Sequence, residues 1–180
     1  MKAVVIKGSA RNLGNTEKLC VGVFDGLRSR DVAVTVFRPI EMRIAHCTHC
    51  GGCVGTGVCV IDDDMRKIYE AVIECDIIVF CTPVHFLGVS SVLKQVFDRF
   101  QCFWEKQPDN KRRIAALVAS AGSNEVNLSI VKSICVSVAN TVCADWKGDL
   151  IQIGCDAGNS NSKEELLKAY GFGRSLTMDL

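Results

Sequence analysis

The run Asp76-Ile77-Ile78-Val79-Phe80-Cys81 carries apolar side chains at every position after its first residue. A strand written this way must be covered on both faces, which is the condition of a central strand in a parallel sheet. Ile114-Ala115-Ala116-Leu117-Val118-Ala119 reads the same way, and Lys2 to Lys7 is a third short apolar run, stopped by Gly8. Two more strands are predicted, at Val32 to Phe37, ended by Pro39, and at Leu150 to Gly154.

Helical patterns fill the gaps. From Asn15 to about Ser29, Leu19, Val23 and Leu27 recur at helical spacing, with Asn15 placed to cap. Asp62-Asp63-Asp64 opens a helix containing Met65, Ile68, Tyr69, Val72 and Ile73, and acidic residues suit that end of the dipole. Val89, Val92, Leu93, Val96, Phe97, Phe100 and Trp104 mark one face of a single long helix. Phe103 and Trp104 at its end are expected in the core, with a subunit contact as their second use. A further helix is expected from about Glu125 to Ala144, and a closing one from Lys163 to Tyr170. Five alternations of strand and helix predict an α/β fold, a flavodoxin-like doubly wound sandwich around a five-stranded parallel sheet. The whole span 1–180 is expected to be one domain, with a cysteine-rich insert at about 46–60.

Composition removes several function classes. The formal net charge is +1 with no long basic run, so neither nucleic acid nor an anionic membrane has electrostatic support as a partner. No apolar stretch approaches the length of a membrane span, and the apolar part of Met1 to Gly8 is too short for a signal peptide. The expected location is therefore cytoplasmic. Eleven cysteines without an export signal do not read as a disulfide framework. Seven of them, Cys20, Cys75, Cys81, Cys102, Cys135, Cys143 and Cys155, are expected to act as small buried hydrophobes.

The other four fall within thirteen residues: Cys47, Cys50, Cys53 and Cys59. Thiolates two residues apart can point at one centre, and a looped fourth can close the cage. Four thiolates form the full ligand set of a cubane iron–sulfur cluster or of a tetrahedral zinc. His46 and His49 flank or interrupt the run and are expected to be bystanders, since four cysteines suffice.

In a doubly wound sheet, ligands bind at the carboxyl ends of the strands, here in the loops after Lys7, Cys81 and Ala119. The first loop has the makings of a phosphate cradle. Gly8 and Gly14 permit the turn, Ser9 and Thr16 offer hydroxyls, Arg11 adds a cation, and Asn15 to Glu17 present amides at a helix start. No Walker pattern, no three-glycine dinucleotide fingerprint and no cysteine followed six residues on by arginine is present.

Gly8-Ser9-Ala10-Arg11 through Gly14-Asn15-Thr16 resembles the FMN-phosphate loop of the NAD(P)H-dependent FMN reductases. Thr82-Pro83-Val84-His85-Phe86, with Val89-Ser90 and Asp98-Arg99, is similar to that family's second flavin loop and following helix. The four-cysteine run followed by Asp62-Asp63-Asp64-Met65 resembles the iron–sulfur flavoprotein subgroup. The resemblance extends to about Phe100 and departs at three places: Ala10 stands where proline is usual, His85 where an aromatic ring is usual, and the third loop has one glycine.

What the resemblance implies is specific. Ser9, Arg11, Gly14, Asn15 and Thr16 would hold the FMN phosphate. Pro83, Val84, His85 and Phe86 would lie along the isoalloxazine, and Ser120, Ala121 and Gly122 would border it. Cys47, Cys50, Cys53 and Cys59 would ligate a 4Fe-4S cluster, and no catalytic acid or base is assigned. Electrons would enter from ferredoxin or NAD(P)H and leave to a small-molecule acceptor such as oxygen, peroxide or a quinone, in a homodimer or homotetramer. Two alternatives stay open: a cluster-free NAD(P)H-dependent FMN or quinone reductase, and a zinc-stabilised binding module.

Overall fold

A computed structural model describes residues 1–157 and 162–178. Five strands, β1 (Lys2–Lys7), β2 (Ala33–Phe37), β3 (Ile77–Pro83), β4 (Arg113–Ser120) and β5 (Ala144–Gln152), form one sheet in the order β2-β1-β3-β4-β5. Every pairing is parallel. This is the flavodoxin-like order, and the reversal of strand order between β1 and β3 opens a crevice at their carboxyl ends. The expected fold class is the observed one.

Side-chain alternation along the central strands builds two cores. Val4, Ile6, Ile78, Phe80, Ala115 and Leu117 point to one face, where α2 (Met65–Glu74), α3 (Ser91–Arg99), α4 (Gln101–Glu105) and α5 (Ser129–Thr141) cover them. Ala3, Val5, Ile77, Val79, Ala116 and Val118 point to the other, under α1 (Asn15–Arg28) and α6 (Lys163–Ser175). All eight residues of β4 are buried, the apolar run 114–119 together with Arg113 and Ser120 at its ends, whereas the edge strand β2 is half open to solvent. Among the described residues no helix is long and apolar enough to cross a membrane.

Five sequence expectations need correction. The long helix from Val89 is two helices, broken at Phe100. Tyr69 donates its hydroxyl to the Arg99 carbonyl at 2.7 Å, and the Phe103 amide turns to the Phe100 carbonyl at 2.9 Å, so the chain tightens there. Trp104 is 69% exposed and outside the core, while Phe103 beside it is buried. The last strand starts at Ala144, where the preceding helix was expected to end, because its polar first half (Asp145, Lys147, Asp149) lies on a sheet edge that tolerates charge. Lys147 falls at a register shift opposite Ala115/Ala116, a bulge that interrupts any alternation. Asn15 is the first helical residue and not the cap, which is Gly14. Of the seven scattered cysteines, five are buried as expected, but Cys143 and Cys155 are half-buried.

Candidate functional site

The three loops at the carboxyl edge are tied to one another by hydrogen bonds. The Gly8 amide donates to the Cys81 carbonyl at 2.6 Å, and Ser90 Oγ donates to the Gly8 carbonyl at 2.7 Å, joining the first loop to the second. Thr16 Oγ1 and Ser120 Oγ lie 2.6 Å apart in a buried contact that joins the first to the third. The Val84 amide donates to the Ser120 carbonyl at 2.8 Å, closing the triangle. Ser9, Thr16, Ser120 and Ala121 are buried at this junction, while Arg11, His85 and Phe86 are exposed around it.

The first loop folds back on Gly14. A Cβ added there would sit 3.5 Å from Arg11 Cβ and 3.9 Å from both Arg11 Nε and Ser9 Oγ. Ser9 Oγ accepts from the Arg11 amide, a local turn that orients the loop. The first bond inside α1 runs from the Lys18 amide to the Gly14 carbonyl. The amides of Thr16 and Glu17 therefore precede the helix's own acceptors and are available to an anion. Glu17, in that same turn, is paired with Lys7, so its carboxylate does not stand alone against such an anion. Asn15 also bonds toward Cys155, whose thiol burial pushes up and Asn15 pulls back.

The second loop turns back sharply. His85 and Gly88 exchange amide–carbonyl bonds at 3.0 and 2.9 Å around Phe86 and Leu87, both at positive φ (47° and 68°). Positive φ at both central positions marks a primed hairpin turn, where asparagine and glycine are usual. A phenylalanine there, 105% exposed, has no packing role in the fold. Pro83 ends β3 and Val84 is half-buried next to the Ser120 contact. In the third loop the Asp156 amide donates to the Gly122 carbonyl at 3.1 Å. The Asp156 carboxylate occupies the space a Gly122 side chain would need.

The cysteine run forms a separate loop between Met42 and α2. Its backbone takes positive φ at His49, Gly51, Gly55 and Gly57. Gly57 is under two constraints, since its φ is 72° and a Cβ would lie 2.9 Å from Lys106 Cβ. Cys47, Cys50, Cys53 and Cys59 all line one cavity, of about 50 Å³ within a cleft of about 480 Å³ that includes its mouth. Cys50 is exposed, and the Gly52 amide holds its thiol below the ordinary value. Burial pushes the Cys53 thiol up, and the neighbouring Glu105, Cys59 and Cys47 add to that. Among the described residues no group of three or more His, Cys, Asp or Glu side chains is gathered closely enough to hold a metal ion. The four thiols share a cavity without converging on one point.

Two residues that the sequence reading named only as members of longer motifs, with no role of their own, hold this loop. Arg99 has a fully buried side chain whose Nη1 donates to Asp63 Oδ2 at 2.6 Å and to the Ala45 carbonyl at 2.8 Å. Its Nη2 reaches Asp63 Oδ1 at 3.2 Å and Cys59 Sγ at 3.5 Å. Asp63 in turn accepts from the Ala45 and Met65 amides at 2.8 and 3.0 Å. Burial would raise the Asp63 carboxyl, but the Arg99 fork and the two amides outweigh it and hold it below the usual range. The available signal was a cation three residues after Val96, on the apolar face of α3.

Comparison with known proteins follows this geometry. Residues 1–139 match the family described as NADPH-dependent FMN reductase. An iron-sulfur flavoprotein of Methanosarcina thermophila is 35% identical over 124 residues, 68% of this chain and 64% of that protein. One of Archaeoglobus fulgidus is 31% identical over 122 residues, 68% of this chain and 56% of that protein. The chain thus spans about three-fifths of the length of these relatives. A solved structure of a flavone reductase superposes with a TM-score of 0.75 over 98% of this chain and 62% of that one, at 20% identity. That match over residues 1–139, more than half of the chain, places it in the NADPH-dependent FMN reductase family.

Proposed function

We propose that this protein is an FMN-dependent oxidoreductase that also holds a 4Fe-4S cluster, passing electrons from ferredoxin or NAD(P)H to a small-molecule acceptor. The observation that carries the reading is one chain bearing both an anion-ready helix start in a three-loop junction and four thiols around one cavity. Bound FMN would supply two-electron chemistry and the cluster one-electron steps, so that pair transfer becomes single transfers.

The residues fit the flavin. The turn at Gly14, the Thr16 and Glu17 amides and the Arg11 guanidinium suit a phosphate, with Ser9 and Asn15 beside them. Thr16 also ties that turn to Ser120, so its side chain positions the cradle while its amide faces the anion. Pro83, Val84, His85 and Phe86 offer backbone and an exposed ring for the isoalloxazine, with Ala121 and Gly122 at its far edge. A homodimer or homotetramer is part of the proposal, since exposed Phe86, Leu87 and Leu13 border the junction without a cover from their own chain.

The sulfur cavity fits a cluster on a different ground. Arg99 Nε is buried without an acceptor, in a side chain that lines the cavity of the four cysteines. A buried donor left unpaired costs on the order of 1–3 kcal/mol, and cluster sulfur would supply the missing acceptor. Cys47, Cys50, Cys53 and Cys59 are the proposed ligands. The separation of the four thiols favours a second reading, a cluster-free FMN or quinone reductase with free thiols at this loop.

The test is an absorption spectrum of anaerobically purified protein with iron, sulfide, zinc and flavin counted per chain. One flavin with four irons and four sulfides is expected. Flavin alone selects the cluster-free reading, and one zinc without flavin would overturn both in favour of a binding module.

A further inference from the structure

We infer that Arg99 is a positioning residue for the sulfur site that also sets the reduction potential of the cluster there, an inference that rests on the cluster reading above. Of the polar side chains lining the cavity, Thr48, His49 and Glu105 are exposed and Gln101 is half-buried; Arg99 alone is buried, at 1% exposure. Its position in the fold is fixed from three directions. The backbone of Arg99 ends α3, its carbonyl takes the Tyr69 hydroxyl, and its guanidinium is forked on Asp63. That leaves little freedom for the charge to follow the loop; the loop follows the charge.

The grip is on both stems of the cysteine run. Upstream, the Ala45 residue is clamped in two directions, its amide donating to Asp63 and its carbonyl accepting from Arg99. Downstream, Arg99 Nη2 donates to the sulfur of Cys59 and faces the Ile61 carbonyl, both at 3.5 Å. Cys59 is the ligand farthest in sequence from the others, after a five-residue gap, so its sulfur is the one that most needs an external anchor.

The electrostatic consequence follows from burial. A cluster gains one negative charge on reduction, and hydrogen bonds to its sulfurs and nearby charge are what set its potential. A cation shielded from solvent is screened by salt far less than an exposed one, and a donor on a ligand sulfur stabilises the more negative, reduced state. Arg99 supplies both, and its buried Nε has no acceptor among the described residues. Asp63 works against it as the only carboxylate paired with that guanidinium among the described residues. The two residues therefore move the potential in opposite directions.

The experiment is a spectroscopically monitored redox titration of the anaerobic holoprotein and of Arg99→Gln, Arg99→Lys and Asp63→Asn, following cluster and flavin separately. In Arg99→Gln the cluster's reduced-to-oxidised ratio at fixed poise should fall at least tenfold, which for one electron is about 59 mV. Arg99→Lys, which keeps the charge and loses the fork, should fall between that variant and wild type. Asp63→Asn should shift the ratio upward, and it keeps the test decisive if Arg99→Gln loses its cluster or fails to fold. The flavin midpoint should stay in place in all three. Loaded variants whose cluster midpoints all match wild type would overturn the inference while leaving the cluster reading intact. A wild-type protein free of iron and sulfide would remove that reading, and this inference with it.

Discussion

Replacing Ser90 by alanine tests whether the proposed phosphate cradle depends on the helix behind it. Ser90 is 2% exposed, and its hydroxyl makes two bonds. It accepts from the Leu93 amide at 3.2 Å, capping α3, and donates to the Gly8 carbonyl at 2.7 Å. Removing an N-cap hydroxyl costs about 1 kcal/mol. Losing the bond to Gly8 costs about another 1 kcal/mol, since it leaves a buried carbonyl without that donor. The sum of about 2 kcal/mol corresponds to a drop of roughly 4–8 °C in Tm for a domain of this size. The bond from the Ser90 amide to Thr82 Oγ1 survives, so the second loop keeps its start. The damage is confined to the helix cap and to Gly8, which packs so close that a Cβ would lie 2.7 Å from Leu93 Cβ. Urea unfolding of the flavin-free chain reads the stability term, and quenching of flavin fluorescence reads FMN affinity. If about 1.4 kcal/mol of the loss falls on the bound state, the Kd for FMN rises about tenfold. A variant with unchanged urea midpoint and unchanged Kd would refute the claim that Ser90 holds the cradle in shape.

Three further outcomes are expected. Cys50→Ser should abolish the cluster's visible absorption and lower bound iron severalfold while FMN stays at one per chain; full iron and sulfide in that variant would exclude Cys50 as a ligand. Phe86→Ala should leave Tm within about 2 °C, because an exposed side chain contributes under about 0.5 kcal/mol, yet weaken FMN binding or turnover; loss of stability without loss of either would reverse the assignment. Asp109 is held below the usual carboxylate range first by its bond to Arg113. A depressed carboxyl stabilises the fold above its unfolded value of about 3.9 and loses that contribution as pH falls through the lower folded value. Asp109→Asn should therefore cost about 2 kcal/mol at pH 7, by leaving the buried Arg113 guanidinium without its carboxylate, and progressively less below pH 4. A pH-independent difference in urea unfolding would contradict this.

The parts of this fold that can be read from the sequence are those where burial is uniform. Strands β3 and β4 are apolar over residues 77–81 and 114–119 because helices cover both sides, so composition alone announces them. Strand β5 lies at the edge, pairs with one neighbour and carries Asp145, Lys147 and Asp149, so its first half reads as loop. The candidate flavin loops were legible as separate segments, but not their joints: Thr16 meets Ser120 from 104 residues away. The cysteines stood out by spacing as a candidate ligand set. Their support did not, because Arg99 stands 36 residues from Asp63 and 40 from Cys59, and a lone arginine on an apolar helical face looks like an imperfection. Only the fold turns it into a buried charge with three kinds of partner.

Helix α3 is what relates the two sites. Its cap, Ser90, bonds to the loop after β1, and its last residue, Arg99, bonds to the cysteine loop. Nine residues at 1.5 Å each make a rod of about 14 Å. The distance between the cradle and the sulfur cavity is thus set by helix geometry and not by the glycine-rich loops, which could not hold it. The same rod fixes orientation, because one residue added within it would rotate Arg99 by about 100° away from Asp63. The loops are then free to carry residues at unusual backbone angles, such as Phe86 at φ 47° and His49 at φ 54°. Positional precision resides in the buried hydrogen bonds at either end of α3, so substitutions there should disturb both centres more than substitutions of the loop tips do.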